Sequence, residues 1–378
     1  MKKVLLVHNQ YRQFGGEDSA VFGDEKLLLN DYIVEKHIYD NKESIDFFDF
    51  INFIFLTNPK SNNSLDKKIK EFNPDIIYIH NLWFKGSLGI FRLIKKYKIP
   101  VVVKIHNFRY LCCSTYFSKR HVKENNFCPA CGFSKKLLFN KYFPESYIKS
   151  LFSIRFSKKL LKLIKKSDVN ILLLTQHHKH ILLNEKIEHN RIFIMPNYIH
   201  SEFTNVNEKE NIFLYAGRVS KEKDVEEIIK SFLSINLPNY KLYILGTGPD
   251  LSRLQKKYKH DNIKFFGFLN NNEVLKFIKK SKVVVSATKL FEGQPTLLCE
   301  ASLNSIPVIF PDNGGIKEFL PKNYKFLYEQ SNYNSFQKAM NNIVNEDIQQ
   351  IGKENYDFIS KLINKDNLLK VFSEAVSE

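Results

Sequence analysis

Cysteine is scarce in this chain. Five cysteines in 378 residues cannot form a disulfide scaffold, and in a reducing compartment such thiols are expected to be free or metal-bound. Long apolar runs are missing too. The longest stretch, from Phe47 to Leu56, is broken by Asp49 and Asn52 and falls short of the roughly 18 apolar residues that a spanning helix needs. The opening MKKVLLVHNQ carries a basic pair and an apolar run, but His8, Asn9 and Gln10 end that run too early for a signal peptide, so it reads as a first strand. A cytoplasmic protein is the expectation. Acidic charge is also short: 40 Asp and Glu stand against 57 Lys and Arg, a formal +17, which favours an anionic partner such as phosphate, nucleic acid or a membrane surface. No short internal repeat is visible, and no carboxylate–histidine set suggests a catalytic metal.

Apolar material is plentiful. Hydrophobic residues make up 43% of the chain, with 33 Phe and 18 Tyr, enough to bury a core in each of the two domains that this length suggests. Short apolar runs alternate with longer amphipathic stretches, the rhythm that builds a parallel sheet covered by helices. Strands are expected at 3–8, 33–38, 75–79, 101–105, 169–175 and 192–195, then again at 212–216, 241–245, 263–265, 282–286 and 307–310. Helices are expected near 18–30, 65–72, 88–97 and 147–166. The stretch MPNYIHSEFTNVNEKEN has little periodicity, which divides the chain into domains 1–205 and 206–378. Ligands of doubly wound sheets bind beyond the carboxyl ends of the strands, so the chemistry is expected there.

The most specific stretch is TKLFEGQPTLLCEASLNSIPVIFPDNGG. Glu292 and Glu300 stand eight residues apart, the first in a loop and the second in a helix expected to begin near Gln294, with Pro295 in its first turn. Gly293, Thr296 and Leu297 would then offer free backbone N–H groups to an anion, and a diphosphate suits the position. Arg218 and Lys223, in YAGRVSKEKDVEEII, are two cations that follow a strand, a second feature suited to phosphate. Ordinary surface pairs and a plain helix start are the bland reading of both. Gly15 and Gly16, between the first strand and the first helix, allow a ligand close to the backbone or simply form a tight turn capped by Asp18 or Ser19. His106 follows the strand 101–105. The irregular segment 106–145 holds Cys112, Cys113, Cys128 and Cys131. A structural zinc on Cys112, Cys128 and Cys131, with His121 or Cys113 as fourth ligand, stands beside buried free thiols as the reading of that segment.

These motifs resemble retaining glycosyltransferase family 4, whose fold, GT-B, is α/β with two Rossmann-like doubly wound domains facing a central cleft. The loop from Glu292 to Glu300 resembles the family's E-x7-E motif. Arg218 and Lys223 match its GR-x4-K segment, although Asp224 stands where the family usually has Gly. Gly246 to Asp250 is similar to its G-x-GP turn, and Asn313 to Glu318 to its GG-x2-E pattern. The run HNFRYLC from His106 resembles the enzymes of that family that make exopolysaccharide and O-antigen. The resemblance implies sugar transfer from a nucleotide-sugar donor to a glycan or polyprenyl-linked acceptor, with no cofactor required. It assigns Glu292 and His106 to the transferred sugar and Glu300 to the nucleotide ribose. Arg218, Lys223, Gly293, Thr296 and Leu297 go to the diphosphate, and Gly15 and Gly16 to the donor. The amino-terminal domain would take the acceptor, and the last helix would cross back to that domain. By its own residues the basic, aromatic helix 147–166 reads either as a solvated helix face or as a contact with the cytoplasmic face of a membrane. A nucleotide-sugar 2-epimerase shares this architecture but would convert donor without acceptor. A nucleic-acid binder would use the basic surface alone and leave Glu292 and Glu300 unexplained, so nucleic acid is not the expected partner.

Overall fold

The computed structural model describes residues 1–11, 15–41, 47–108, 110, 147–199 and 209–377. It separates into two compact units, Met1–Tyr198 with Asn364–Glu378, and Ile199–Ile363. The boundary expected at 205/206 falls in a stretch outside the described residues.

The first unit runs β1 (Lys3–Gln10), α1 (Gly16–Leu28), β2 (Ile33–Asp40), α2 (Phe47–Phe55), α3 (Pro59–Phe72), β3 (Ile76–Ile79), α4 (Ile90–Tyr97), β4 (Val101–Ile105), α5 (Tyr147–Lys166), β5 (Asn170–Leu173), α6 (Gln176–Asn184) and β6 (Ile192–Ile194). The second continues with β7 (Glu210–Ala216), α7 (Val225–Ser234), β8 (Lys241–Leu245), α8 (Leu251–Lys257), β9 (Ile263–Gly267), α9 (Asn271–Lys280), β10 (Ser281–Val285), α10 (Thr296–Leu303), β11 (Val308–Asp312), β12 (Leu327–Glu329), α11 (Tyr333–Ile343) and α12 (Ile348–Leu362). The last helix, α13 (Lys365–Ser377), belongs to the first unit.

Each unit is built on a six-stranded sheet, in the orders β2-β1-β3-β4-β5-β6 and β12-β11-β10-β7-β8-β9, and every pairing is parallel. Both are doubly wound α/β sheets, as the alternating pattern implied. Central strands are covered on both faces, so Val4 to Val7 and Val283 to Val285 are all buried and read as continuous rather than alternating apolar runs. Helix ends follow local rules. The Asn58 side chain accepts from the Ser61 N–H at 3.2 Å and Pro59 opens α3, while Asn270 and Glu273 close a reciprocal cap on α9. Elements not individually foreseen include α2, which is the interrupted apolar stretch from Phe47, α6, and the three-residue edge strand β12.

The order of each sheet reverses beside its first strand. In the first unit β1 has β2 on one side and β3 on the other; in the second, β7 has β8 and β10. The loops that leave these strands are therefore the places where a ligand can enter between diverging connections.

Candidate active site

In the second unit the loops after β7 and β10 meet. Lys223 Nζ lies 2.6 Å from Glu292 Oε1, which also accepts from the Thr288 hydroxyl at 3.1 Å. Glu292 is fixed through its backbone as well: its carbonyl accepts from the Gly315 N–H at 2.9 Å. Gly314 has φ +61°, and a Cβ there would stand 2.2 Å from that carbonyl, so only glycine fits. Leu290, two residues earlier, has its carbonyl held by the Asn313 amide at 2.7 Å. The glycine pair and its flanking Asn thus hold the loop that carries Glu292.

The loop after β7 is shaped by the same means. Gly246 approaches Gly217 and Gly248 approaches Val219 so closely that a Cβ would stand 1.9 and 2.2 Å from their carbonyl oxygens. Arg218 sends its side chain toward solvent, 3.9 Å from Glu222, and is not joined to Lys223 or Glu292. Asp224, the departure from the family pattern, is left-handed at φ +51°, a region glycine enters freely and other residues at a cost. Its carboxylate is held by Lys289 at 2.8 Å and by the Tyr333 hydroxyl. The residue thus occupies a backbone region that glycine enters freely and makes two side-chain contacts, neither visible in the local sequence.

The helix expected near Gln294 begins at Thr296, with Pro295 as the residue before the first turn rather than within it. Pro295 has φ −74° and ψ 111°, so the chain is still extended there. Gln294 and Gly293 are buried and belong to the loop. No side chain caps α10, which leaves the Thr296 and Leu297 amides without a side-chain acceptor at the positive end of the helix. Glu300 follows one turn later, and burial pushes its carboxyl up to about 7. The loops after β7 and β10 thus carry a cation, open amides and two carboxylates, groups that can take an anion and hydroxyls.

In the first unit the loops after β1, β3 and β4 carry a second cluster. Asp18 accepts from the Gly15 N–H at 2.8 Å and stands 2.9 Å from His8 Nε2, so the start of α1 is the Asp18-capped turn, with Gly16 as the first helical residue. Glu17 receives the Tyr11 hydroxyl at 2.6 Å and the Asn107 amide. His106 does not stand alone: its Nε2 is 2.8 Å from His80 Nδ1. Burial, His80 and Lys104 lower its pKa well below the ordinary histidine value, so the ring is neutral at pH 7. Beneath it Lys104 and Asp24 form an ion pair at 2.7 Å with no exposed side-chain surface, and the Tyr78 hydroxyl donates to the same carboxylate oxygen at 2.6 Å. None of Asp24, Tyr78, His80 and Lys104 was singled out from sequence. The signal was there in VVVKI, where a lysine occupies an interior strand position whose neighbours are all apolar.

A groove of about 1630 Å³ runs beside α4 and α5, lined by Phe91, Leu151, Phe152, Lys158, Lys162 and Arg191 among others. Cys112, Cys113, His121, Cys128 and Cys131 lie outside the described residues. Cys299 is a buried free thiol whose pKa is raised by burial. Among the described residues no group of three or more His, Cys, Asp or Glu could hold a metal, and no helix is long and apolar enough to cross a membrane.

Residues 199–360, which carry Arg218, Lys223, Glu292 and Glu300, match the family described as glycosyl transferases group 1. The chain is a glycosyltransferase whose second unit carries the group 1 match. This glycosyltransferase is 21% identical over 325 residues to the amylovoran biosynthesis glycosyltransferase AmsD of Erwinia amylovora, with 82% of this chain and 80% of that protein covered. Its two sheets superpose with the GT-B fold of solved glycosyltransferase structures. Anabaena Alr3699/HepE in complex with UDP and glucose gives a TM-score of 0.71 at 13% identity, with 100% of both chains covered. The sucrose-phosphate synthase of Thermosynechococcus elongatus gives 0.71 at 15%, covering 99% of this glycosyltransferase and 98% of that chain. A point mutant of S. aureus TarM, in complex with fondaparinux, alpha-GlcNAc-glycerol and UDP, gives 0.69 at 14% with 100% of both chains covered.

Proposed function

We propose that this glycosyltransferase belongs to family 4 and works with retention of configuration. It moves a sugar from a nucleotide-sugar donor to a glycan or polyprenyl-linked acceptor in the synthesis of a bacterial surface polysaccharide. The observation that carries the reading is the contact of Lys223 with Glu292 at the point where the second sheet reverses its strand order. A cation for phosphate and a carboxylate for sugar hydroxyls stand there within one hydrogen bond of each other.

In this reading the acceptor oxygen bonds to the anomeric carbon as the bond from that carbon to the donor diphosphate breaks, on the same face. The acceptor's proton passes to a departing phosphate oxygen. Negative charge that grows on the diphosphate is met by Arg218, Lys223 and the Thr296 and Leu297 amides, of which the amides are already oriented before reaction. Glu292 holds hydroxyls of the donor sugar, Glu300 those of the nucleotide ribose, His106 meets the transferred sugar, and Gly15 and Gly16 let the donor approach the backbone. No cofactor is needed for this chemistry, and the cysteine-rich segment would hold at most a structural zinc. The acceptor side falls to the first unit, whose α5 and basic groove suit the face of an anionic membrane. The AmsD relative supports the polysaccharide assignment, and HepE and TarM make UDP the first nucleotide to try.

Thermal unfolding with UDP-, GDP-, ADP- and dTDP-sugars tests the donor reading, since a ligand that binds only the folded chain raises its stability. One nucleotide class is expected to raise Tm in the wild type and to have no effect on Glu300→Ala. No shift with any of the four would overturn the reading, and conversion of donor without acceptor would point to an epimerase.

A further inference from the structure

His106 ends a chain of buried polar groups that starts on another element. Parallel register places Leu6 opposite Tyr78 and Tyr78 opposite Val102, so Tyr78 and His80 on β3 and just past it share a sheet face with Lys104 and His106. Asp24 on α1 faces the same group, and α1 is held close because a Cβ on Gly23 would stand 2.2 Å from the Tyr198 carbonyl. The Asp24 carboxylate accepts from the Lys104 ammonium and the Tyr78 hydroxyl, both through Oδ2. His80 Nε2 lies 3.8 Å from the same oxygen, and the His80 and His106 rings stack with centroids 5.0 Å apart and planes at 16°.

A neutral imidazole carries one proton, and the nitrogen that holds it is set by what the other nitrogen meets. A ring nitrogen that faces a carboxylate is better off as N–H than as a lone pair. His80 Nε2 makes no hydrogen bond among the described residues, but the Asp24 carboxylate 3.8 Å away favours the proton there by its charge, which leaves Nδ1 bare. The hydrogen bond across the 2.8 Å contact then runs from His106 Nε2–H to His80 Nδ1, which leaves His106 Nδ1 as the bare nitrogen. That atom is buried and has no hydrogen-bond partner among the described residues. The ring lines a cavity of about 60 Å³ together with Glu17, His80, Trp83 and Lys104.

We infer that Asp24, Lys104 and His80 are positioning residues that fix His106 in the tautomer with a bare Nδ1, so that this atom accepts a hydrogen bond from a hydroxyl of the transferred sugar. The hydroxyl contact rests on the placement of His106 against the sugar proposed above; the tautomer does not. An acceptor fixed in this way selects a donor sugar that has a hydroxyl at that position, because a deoxy analogue leaves the buried nitrogen unpaired.

Long-range ¹H–¹⁵N correlation on the full chain labelled with ¹⁵N-histidine reads the tautomer directly. A pyridine-type Nδ1 and a pyrrole-type Nε2 are expected for His106; the reverse pattern overturns the inference, and this measurement needs no variant. His80→Phe keeps the ring and removes the acceptor. It is expected to give His106 a mixture of tautomers and to lower kcat for UDP-glucose hydrolysis about tenfold, the loss of roughly one hydrogen bond, with KM within about twofold. A folded His80→Phe protein with an unchanged tautomer also overturns the inference. UDP-glucose, but not UDP, is expected to move the His106 Nδ1 resonance of the wild type. If the tautomer is as inferred and the nucleotide-sugar that raises Tm does not move it, the hydroxyl contact is withdrawn, and the placement of His106 fails with it.

Discussion

Glu300 and Glu292 are one helix start apart but differ in environment. Glu292 is bonded to Lys223 and Thr288, whereas for Glu300 burial is the cause that sets its proton affinity. A carboxyl raised to about 7 from an unfolded value of 4.5 is protonated in both states at low pH and costs nothing there. As pH rises through 4.5 toward 7 the unfolded chain ionises first, so stability falls over that range. Glu300→Gln is therefore expected to gain stability relative to the wild type between about pH 5 and pH 8, by at most ~3 kcal/mol, read from denaturant unfolding at the two values. Glu292→Ala is expected to cut donor turnover by roughly 100-fold or more, the scale of losing an oriented polar group at a reacting centre. Turnover at the wild-type level in a steady-state assay would remove Glu292 from the site.

The turn between β7 and α7 shows how an element keeps its shape when its sequence changes. Asp224 is strained by its left-handed backbone and compensated by Lys289 and Tyr333, residues 65 and 109 positions away along the chain. Asp224→Ala keeps the strain and loses both partners; Asp224→Gly loses the partners and the strain together. The glycine variant is expected to be more stable than the alanine variant by about 1 kcal/mol, measured by urea unfolding. The element scale is also where sequence reading was sharpest. Strands 101–105 and 241–245 and helix 147–166 have the limits their patterns implied, because strong apolar periodicity and sharp polar borders leave little choice. It was weakest for β12, three residues whose place in the sheet depends on β11 beside them, and for the start of α10, where proline and glycine suit several neighbouring positions.

Across the whole molecule, chain order and spatial order part company at the carboxyl terminus. Phe372 in α13 is fully buried against Tyr78 and Tyr32 of the first unit, so Phe372→Ala is expected to destabilise that unit by about 3–5 kcal/mol, seen as an earlier thermal transition. The charge excess has a place as well. Lys158, Lys159 and Lys162 are exposed on α5 and line the groove with Leu151 and Phe152. Co-sedimentation with vesicles rich in phosphatidylglycerol is expected for the wild type, weaker with rising salt and lost when the three lysines become glutamate. Absence of wild-type binding would end the membrane proposal.

The amino-acid sequence by itself determined the doubly wound α/β class, most strand positions and the residues around Glu292, because periodicity, glycine turns and helix starts are local. Tertiary structure alone decided that Lys223 meets Glu292, that Asp224 in its left-handed turn is held by Lys289 and Tyr333, and that His106 is backed by His80, Asp24 and Lys104. Those contacts join residues 26 to 109 positions apart, and what sets them is which strands lie side by side and which helix face covers them.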